Sequence, residues 1–298
     1  MARTARVWLS FMVATDGTVY EPMIEQINNE RFSANVIKWV KLRNYRPATV
    51  NGDPVDSVLR SRFSFNIGYG ERSGRVSTKL FNKHYAAFNE ELETGNPDQS
   101  KLAKLLKKMW GTKHGSELAY ELLSSSRYKY ARLFLNKEEQ LYALHEMILS
   151  NDKGIAVIDG QPADVTLINL AIELGRYGEA INAYYSALRN HSSEIDSGLR
   201  QMFGPTIEQI SEILTSDKAF ARSVSIHPER TTFVDLKKNN FAFEDVSGDF
   251  TNLKLRCTRK FAKLPFAADS DYQIPEGWGD CQMQVLGTPG ATAKLIQF

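Results

Sequence analysis

No apolar run in the chain reaches the roughly 18 residues that a membrane-spanning helix needs, so a span within this sequence is excluded. Charge of one sign is lacking too. Lys+Arg 37 against Asp+Glu 35 leaves a formal net charge of +2, and bulk electrostatics gives no reason to expect a nucleic-acid partner. The five histidines fall in no metal-ligand spacing, and His145-Glu146 is followed at the next helical turn by Leu149 rather than a second histidine. There is no G-x-S-x-G elbow and no G-x-x-x-x-G-K phosphate loop. Gly68-Tyr69-Gly70 follows a strand pattern without opening a hydrophobic helix, so it reads as a linker and not a dinucleotide fingerprint. Cys281 with His227 would make a nucleophile and base only if the thiol were free. The expectation is a protein that is not an enzyme, holding no metal and no cofactor.

With 42% hydrophobic residues, the chain has ample material for a core. Its texture changes twice, near residues 68 and 216, so three regions are expected: 1–68, 69–216 and 217–298. The fold class expected is α+β.

In the first region Val7, Leu9, Phe11 and Val13 alternate at the period of a half-buried strand. Asp16-Gly17 then turns the chain into a second strand from Val19 to Gln26, where Pro22 marks an edge position or a bulge. Asn28-Asn29 offers a helix N-cap, and Phe32, Val36, Ile37 and Val40 recur at helical spacing. That helix is expected to end near Asn44, ahead of Pro47. Beyond an Asn51-Gly52 turn, Leu59, Phe63, Phe65 and Ile67 alternate with Arg60, Arg62, Ser64 and Asn66 along a last strand.

This ββαβ order resembles the C-terminal domain of the TonB family. The places of the family pattern are held by Leu9-x-Phe11-x-Val13, Asp16-Gly17-x-Val19, Phe32, Tyr45-Arg46-Pro47-Ala48, Asn51-Gly52-x-Pro54-Val55 and Phe63-x-Phe65. Arg43 stands where the family usually has a Trp, and the Tyr-Pro segment that usually precedes the first strand is absent. The resemblance implies a periplasmic protein whose signal or anchor segment has been removed. It also implies a protein or peptide partner, such as a segment of a TonB-dependent outer-membrane receptor, bound by strand addition in energy transduction or transport. The edge strand so implied is Arg62, Phe63, Ser64, Phe65, Asn66 and Ile67, with Arg62, Ser64 and Asn66 facing outward. Membrane association would come only through a segment outside this sequence.

From about Asn82 to Ser216 the pattern is helical. Gly175, Tyr177, Ala180, Tyr184 and Ala187 resemble the turn and second helix of a tetratricopeptide repeat, with helix A at about Ala163 to Leu174 and helix B at about Tyr177 to Asn190. Three or four TPR-like helical hairpins are expected, either as a spacer or as a scaffold whose groove binds the partner. Lys101, Lys104, Lys107 and Lys108, extended by Lys113 and His114, surround one apolar helix face. The plainer reading is a solvated face, and the alternative is a site for phosphates or anionic lipid.

About six short strands after Ser216 suggest a small antiparallel sandwich or open barrel. Its Cys257 and Cys281 are either two buried thiols or, given the periplasmic compartment implied by the TonB resemblance, one disulfide. Trp278 is expected to pack in a loop or core rather than to act as an exposed anchor.

Overall fold

In a computed structural model, residues 3–27, 32–67, 74–112, 117–151, 156–190, 193–227 and 231–298 are described. The fold is α+β. The first strands are β1 (Arg3–Val13) and β2 (Val19–Ile27), followed by α1 (Ser33–Lys41), the short β3 (Ala48–Val50) and β4 (Asp53–Val55), and β5 (Ser57–Ile67). A three-stranded sheet has the order β2-β1-β5.

The middle strand departs from the half-buried expectation. Leu9, Ser10, Phe11, Met12 and Val13 are all buried, so this part of β1 is covered on both faces. The edge reading of Pro22 agrees with the position of β2 at the rim of its sheet. Its neighbour Glu21 has φ 44, in the left-handed region that non-glycine residues seldom occupy.

Helix α1 buries Val36 and Val40 and ends at Lys41, earlier than Asn44. The Leu42 N–H is shared between the carbonyls of Lys38 and Trp39, and the Arg43 N–H donates to Val40 at 3.1 Å. Tightening of the last turn therefore stops the helix before Pro47 is felt. The expected N-cap at Asn28-Asn29 and the linker at residues 68–73 lie outside the described residues. At the β3–β4 turn Asn51 has φ 53 and Gly52 φ 94, the paired positive values of a type I′ hairpin.

Cα packing divides the chain into two units. One comprises Met1–Leu9, Gln26–Asn35 and Ser61–Leu167. Within it lie α2 (Gly74–Leu92), α3 (Gln99–Thr112), α4 (Glu117–Phe134), α5 (Lys137–Ser150) and a hairpin of β6 (Val157–Ile158) and β7 (Gln161–Pro162). Phe81, Phe88, Leu102, Leu105, Met109, Ala119 and Leu123 close its helical core. Asn136 caps α5 by accepting the Glu139 N–H at 2.9 Å.

The other unit comprises Ser10–Glu25, Val36–Arg60 and Ile168–Phe298. After α6 (Ala163–Glu173), which begins before the boundary, come α7 (Tyr177–Asn190) and α8 (Ser193–Thr215). Among the described residues eight strands follow: β8 (Phe220–Ser225), β9 (Thr232–Leu236), β10 (Asn240–Ser247), β11 (Phe250–Cys257), β12 (Phe261–Pro265), β13 (Tyr272–Gln273), β14 (Cys281–Gly287) and β15 (Thr292–Gln297). They form two antiparallel sheets, β13-β10-β15-β8 and β12-β11-β14-β9. Phe241, Phe243 and Leu295 from one sheet and Leu253, Leu255 and Met283 from the other share a single buried core. Six of these strands coincide with the expected ones. The additions, β12 and β13, are rim strands with weak patterning. Trp278, in a 3-10 turn, packs partly buried against that core.

Candidate interaction edge and the residues that support it

Strand β5 lies at one rim of its sheet. Arg62 and Ser64 are exposed and Phe63 is half-buried, as the alternation requires, while Phe65, Asn66 and Ile67 complete the strand. The Arg62 guanidinium donates to the Leu149 carbonyl at 3.2 Å. At the start of the strand, the Val58 N–H donates to the Thr258 carbonyl at 3.1 Å. That bond points away from β1, because β1 is the neighbour of β5 within the sheet. Strand geometry alternates, so the N–H groups of Arg60, Arg62, Ser64 and Asn66 belong to the same outer rim.

Two places of the TonB-like pattern meet in space. Gly17 has φ 85, and its carbonyl accepts the Tyr45 N–H at 2.9 Å. The Tyr45 ring packs on Phe11 with centroids 4.9 Å apart. Burial is what raises the Tyr45 phenol above its ordinary value. Arg43 lies over the Trp39 ring at 4.7 Å.

Strand β2 is held from the sandwich side by an arrangement that sequence reasoning missed. Arg256, only 4% exposed, donates to the Glu21 carbonyl at 2.9 Å and also contacts Met23 Sδ. Burial pushes its guanidinium down to about 10. The Glu21 carboxylate pairs with Lys254 at 3.3 Å and Lys263 at 3.1 Å. Partial burial opposes its ionisation, but the two ammonium groups outweigh burial and hold it below the usual carboxylate value. No local signal announces these partners, since more than two hundred residues separate Glu21 from Arg256.

Gly175, Tyr177, Ala180, Tyr184 and Ala187 lie at the turn between α6 and α7 and along α7. Gly175 has φ 64, its N–H donates to Ile172 at 3.0 Å, and the Arg176 N–H reaches back to Ala171 at 2.8 Å. These two bonds form a Schellman cap. Tyr177 then opens α7, on which Ala180, Tyr184 and Ala187 are buried.

Cys257 and Cys281 form a disulfide, so the alternative of two free thiols is overturned. They are directly opposed on β11 and β14. Cys257 N–H donates to Lys260 and Thr258 N–H to Asp280, which leaves the cysteines at a non-hydrogen-bonded pair, the position of closest Cα approach. A Cys281–His227 nucleophile pair has therefore lost its thiol.

A cleft of about 180 Å³ beside Cys281 is lined by Lys237, Lys238, Asn239, Glu276 and Asp280. Lys238 is engaged by the Ser216 carbonyl, and the cleft is smaller than the several hundred Å³ usual for a small-molecule site. Among the described residues no group of three His, Cys, Asp or Glu side chains is placed to hold a metal ion. No helix among them is long and apolar enough to cross a membrane. At the end of α2, Glu91 accepts the Asp98 N–H at 2.8 Å and pairs with Lys101. Lys113 and His114 lie outside the described residues.

No protein-family model, no curated protein and no solved structure matches this sequence.

Proposed function

We propose that the chain is a non-enzymatic periplasmic protein of the TonB family that binds an extended protein segment by adding it as a strand along β5. The observation that carries this reading is the order β2-β1-β5, which among the described residues leaves β5 with one sheet neighbour. A rim strand offers main-chain N–H and C=O groups to an incoming strand, and alternate side chains select it. The closure of Gly17 on Tyr45 supports the family resemblance, because two separated places of its pattern touch. A segment of an outer-membrane receptor is the partner class that this reading favours, in energy transduction or transport.

The test is fluorescence anisotropy of a labelled receptor-box peptide with wild type and Ser64→Pro. Proline removes one outward N–H while leaving the inward ladder intact, and rim strands tolerate it. Binding weakened at least about tenfold is expected, the loss of one or two hydrogen bonds. Equal binding by a folded variant would count against strand addition.

A second reading is a TPR-type scaffold in which the TonB-like part is only structural. The Schellman turn at Gly175 and the buried small residues of α7 favour it. It predicts that the same peptide fails to bind wild type, and that partner capture is lost on substituting exposed α6–α7 residues such as Tyr185.

A further inference from the structure

Five lysines project from one side of the α2–α3 pair with little to neutralise them. Lys79 and Lys83 on α2 and Lys104, Lys107 and Lys108 on α3 are all exposed. Among the described residues none has a carboxylate partner, whereas Lys101, at the other end of the pair, is taken by Glu91. The two helices pack together through one core, and His84 lies beside the rows: its imidazole is held below its ordinary value first by burial, then by the charges of Lys108 and Lys83. The lysines cannot relieve their repulsion by turning inward, because the opposite face of the pair is filled by Phe81, Phe88, Leu102, Leu105 and Met109.

Two large apolar side chains flank the charges. Leu80 is 44% exposed and Trp110 37% exposed. Neither adds to the binding of a purely ionic partner. A tryptophan and an aliphatic group beside lysines do suit the boundary between headgroups and acyl chains. The absence of arginine from the row also bears on the choice. Planar forks favour bases and carboxylates, whereas flexible ammonium groups act as point charges toward mobile headgroup phosphates. Arg127 lies over the Trp110 ring at 5.7 Å, but its charge is matched by Glu146 at 2.6 Å.

We infer that the α2–α3 face, comprising Lys79, Lys83, Lys104, Lys107, Lys108, Leu80 and Trp110, docks on a bilayer surface bearing anionic phospholipid. The contact is peripheral: lysines meet headgroup phosphates while Leu80 and Trp110 enter the interfacial layer. It is independent of strand addition at β5, and either property can fail without the other.

The experiment is co-sedimentation of the full chain with phosphatidylcholine vesicles with or without phosphatidylglycerol. Two variants are compared, with folding checked by circular dichroism. One is Lys83→Gln/Lys104→Gln/Lys107→Gln/Lys108→Gln, and the other removes the same charge elsewhere, as Lys129→Gln/Lys218→Gln/Arg259→Gln/Lys260→Gln. Wild type is expected to bind only vesicles containing phosphatidylglycerol, with binding falling as salt rises. The patch variant should partition at least about tenfold more weakly, since each lysine near an anionic surface contributes several-fold. The control variant should lose much less. Equal binding of wild type to both vesicle types would overturn the proposal, and so would equal losses in the two variants. Capture by soluble polyglutamate without binding to vesicles would also overturn it, pointing to an acidic protein surface. The vesicle comparison uses wild type alone, so it decides even if the patch variant misfolds.

Discussion

Gly17 and Tyr45 are closed on each other through the main chain: the Tyr45 N–H donates to the Gly17 carbonyl at 2.9 Å, and a Cβ on Gly17 would overlap the Tyr45 carbonyl oxygen. The overlap is with backbone, which cannot swing aside as a side chain would. With φ at 85, an alanine there meets both a disfavoured conformation and a collision. Gly17→Ala is expected to destabilise the protein by about 3 kcal/mol, read from the urea midpoint. A loss near zero would mean that the turn and the Tyr45 segment separate in solution.

Gly175 gives a milder case. Its φ of 64 is left-handed, but the nearest atom to an added Cβ, on Arg222, is 3.6 Å away. Gly175→Ala should therefore cost only the conformational term, about 1 kcal/mol. At Gly178, inside α7, an added Cβ meets the movable end of Lys237. Gly178→Ala should fall within about 0.5 kcal/mol of wild type, because helix propensity offsets the adjustment. Thermal unfolding of the two variants side by side checks the ordering.

The buried Arg256 separates packing from charge. Arg256→Ala leaves the Glu21 carbonyl without this donor and opens space beside Met23, and a loss of about 3 kcal/mol is expected. Arg256→Met keeps most of the volume and removes a costly buried cation, so about 1 kcal/mol is expected. Similar losses for the two would show that the cation itself matters more than the space it fills.

Glu21 makes this region acid-sensitive. Its folded-state value lies below the ordinary 4.5, so its contribution is complete above that pH and fades as the pH falls through the lower folded value. Wild type should lose more stability on acidification through this window than Glu21→Gln, which should itself cost about 1 kcal/mol at neutral pH. Parallel stability profiles for the two proteins would remove Glu21 from the account.

The disulfide closes a loop with a sequence separation of 24. Restriction of the unfolded chain predicts that reduction costs about 3.5 kcal/mol. Comparison of urea midpoints with and without reductant measures it, and Cys257→Ala/Cys281→Ala should match the reduced protein.

What the sequence made legible was local. Asp16-Gly17, Asn51-Gly52 and Gly175 announced their turns because positive φ selects few residue types, and Gly175 bounded two helices to within a residue. Alternation found β8–β11, β14 and β15 but not β12, whose Lys263 and Pro265 blur the pattern. The rim position of β5 follows from the order β2-β1-β5, which no local pattern encodes. The hold of Arg256 on Glu21 was equally hidden, since an arginine inside a strand usually signals the solvent face.

Thr258 gives β5 a directional stop. Its carbonyl already occupies the outward N–H of Val58, so a guest strand pairing along that rim from Ile67 runs out of partners before it reaches the start of β5. The usable length of the rim is therefore bounded at the Val58 end. Lengthening a guest peptide past that end should add overhang without adding grip.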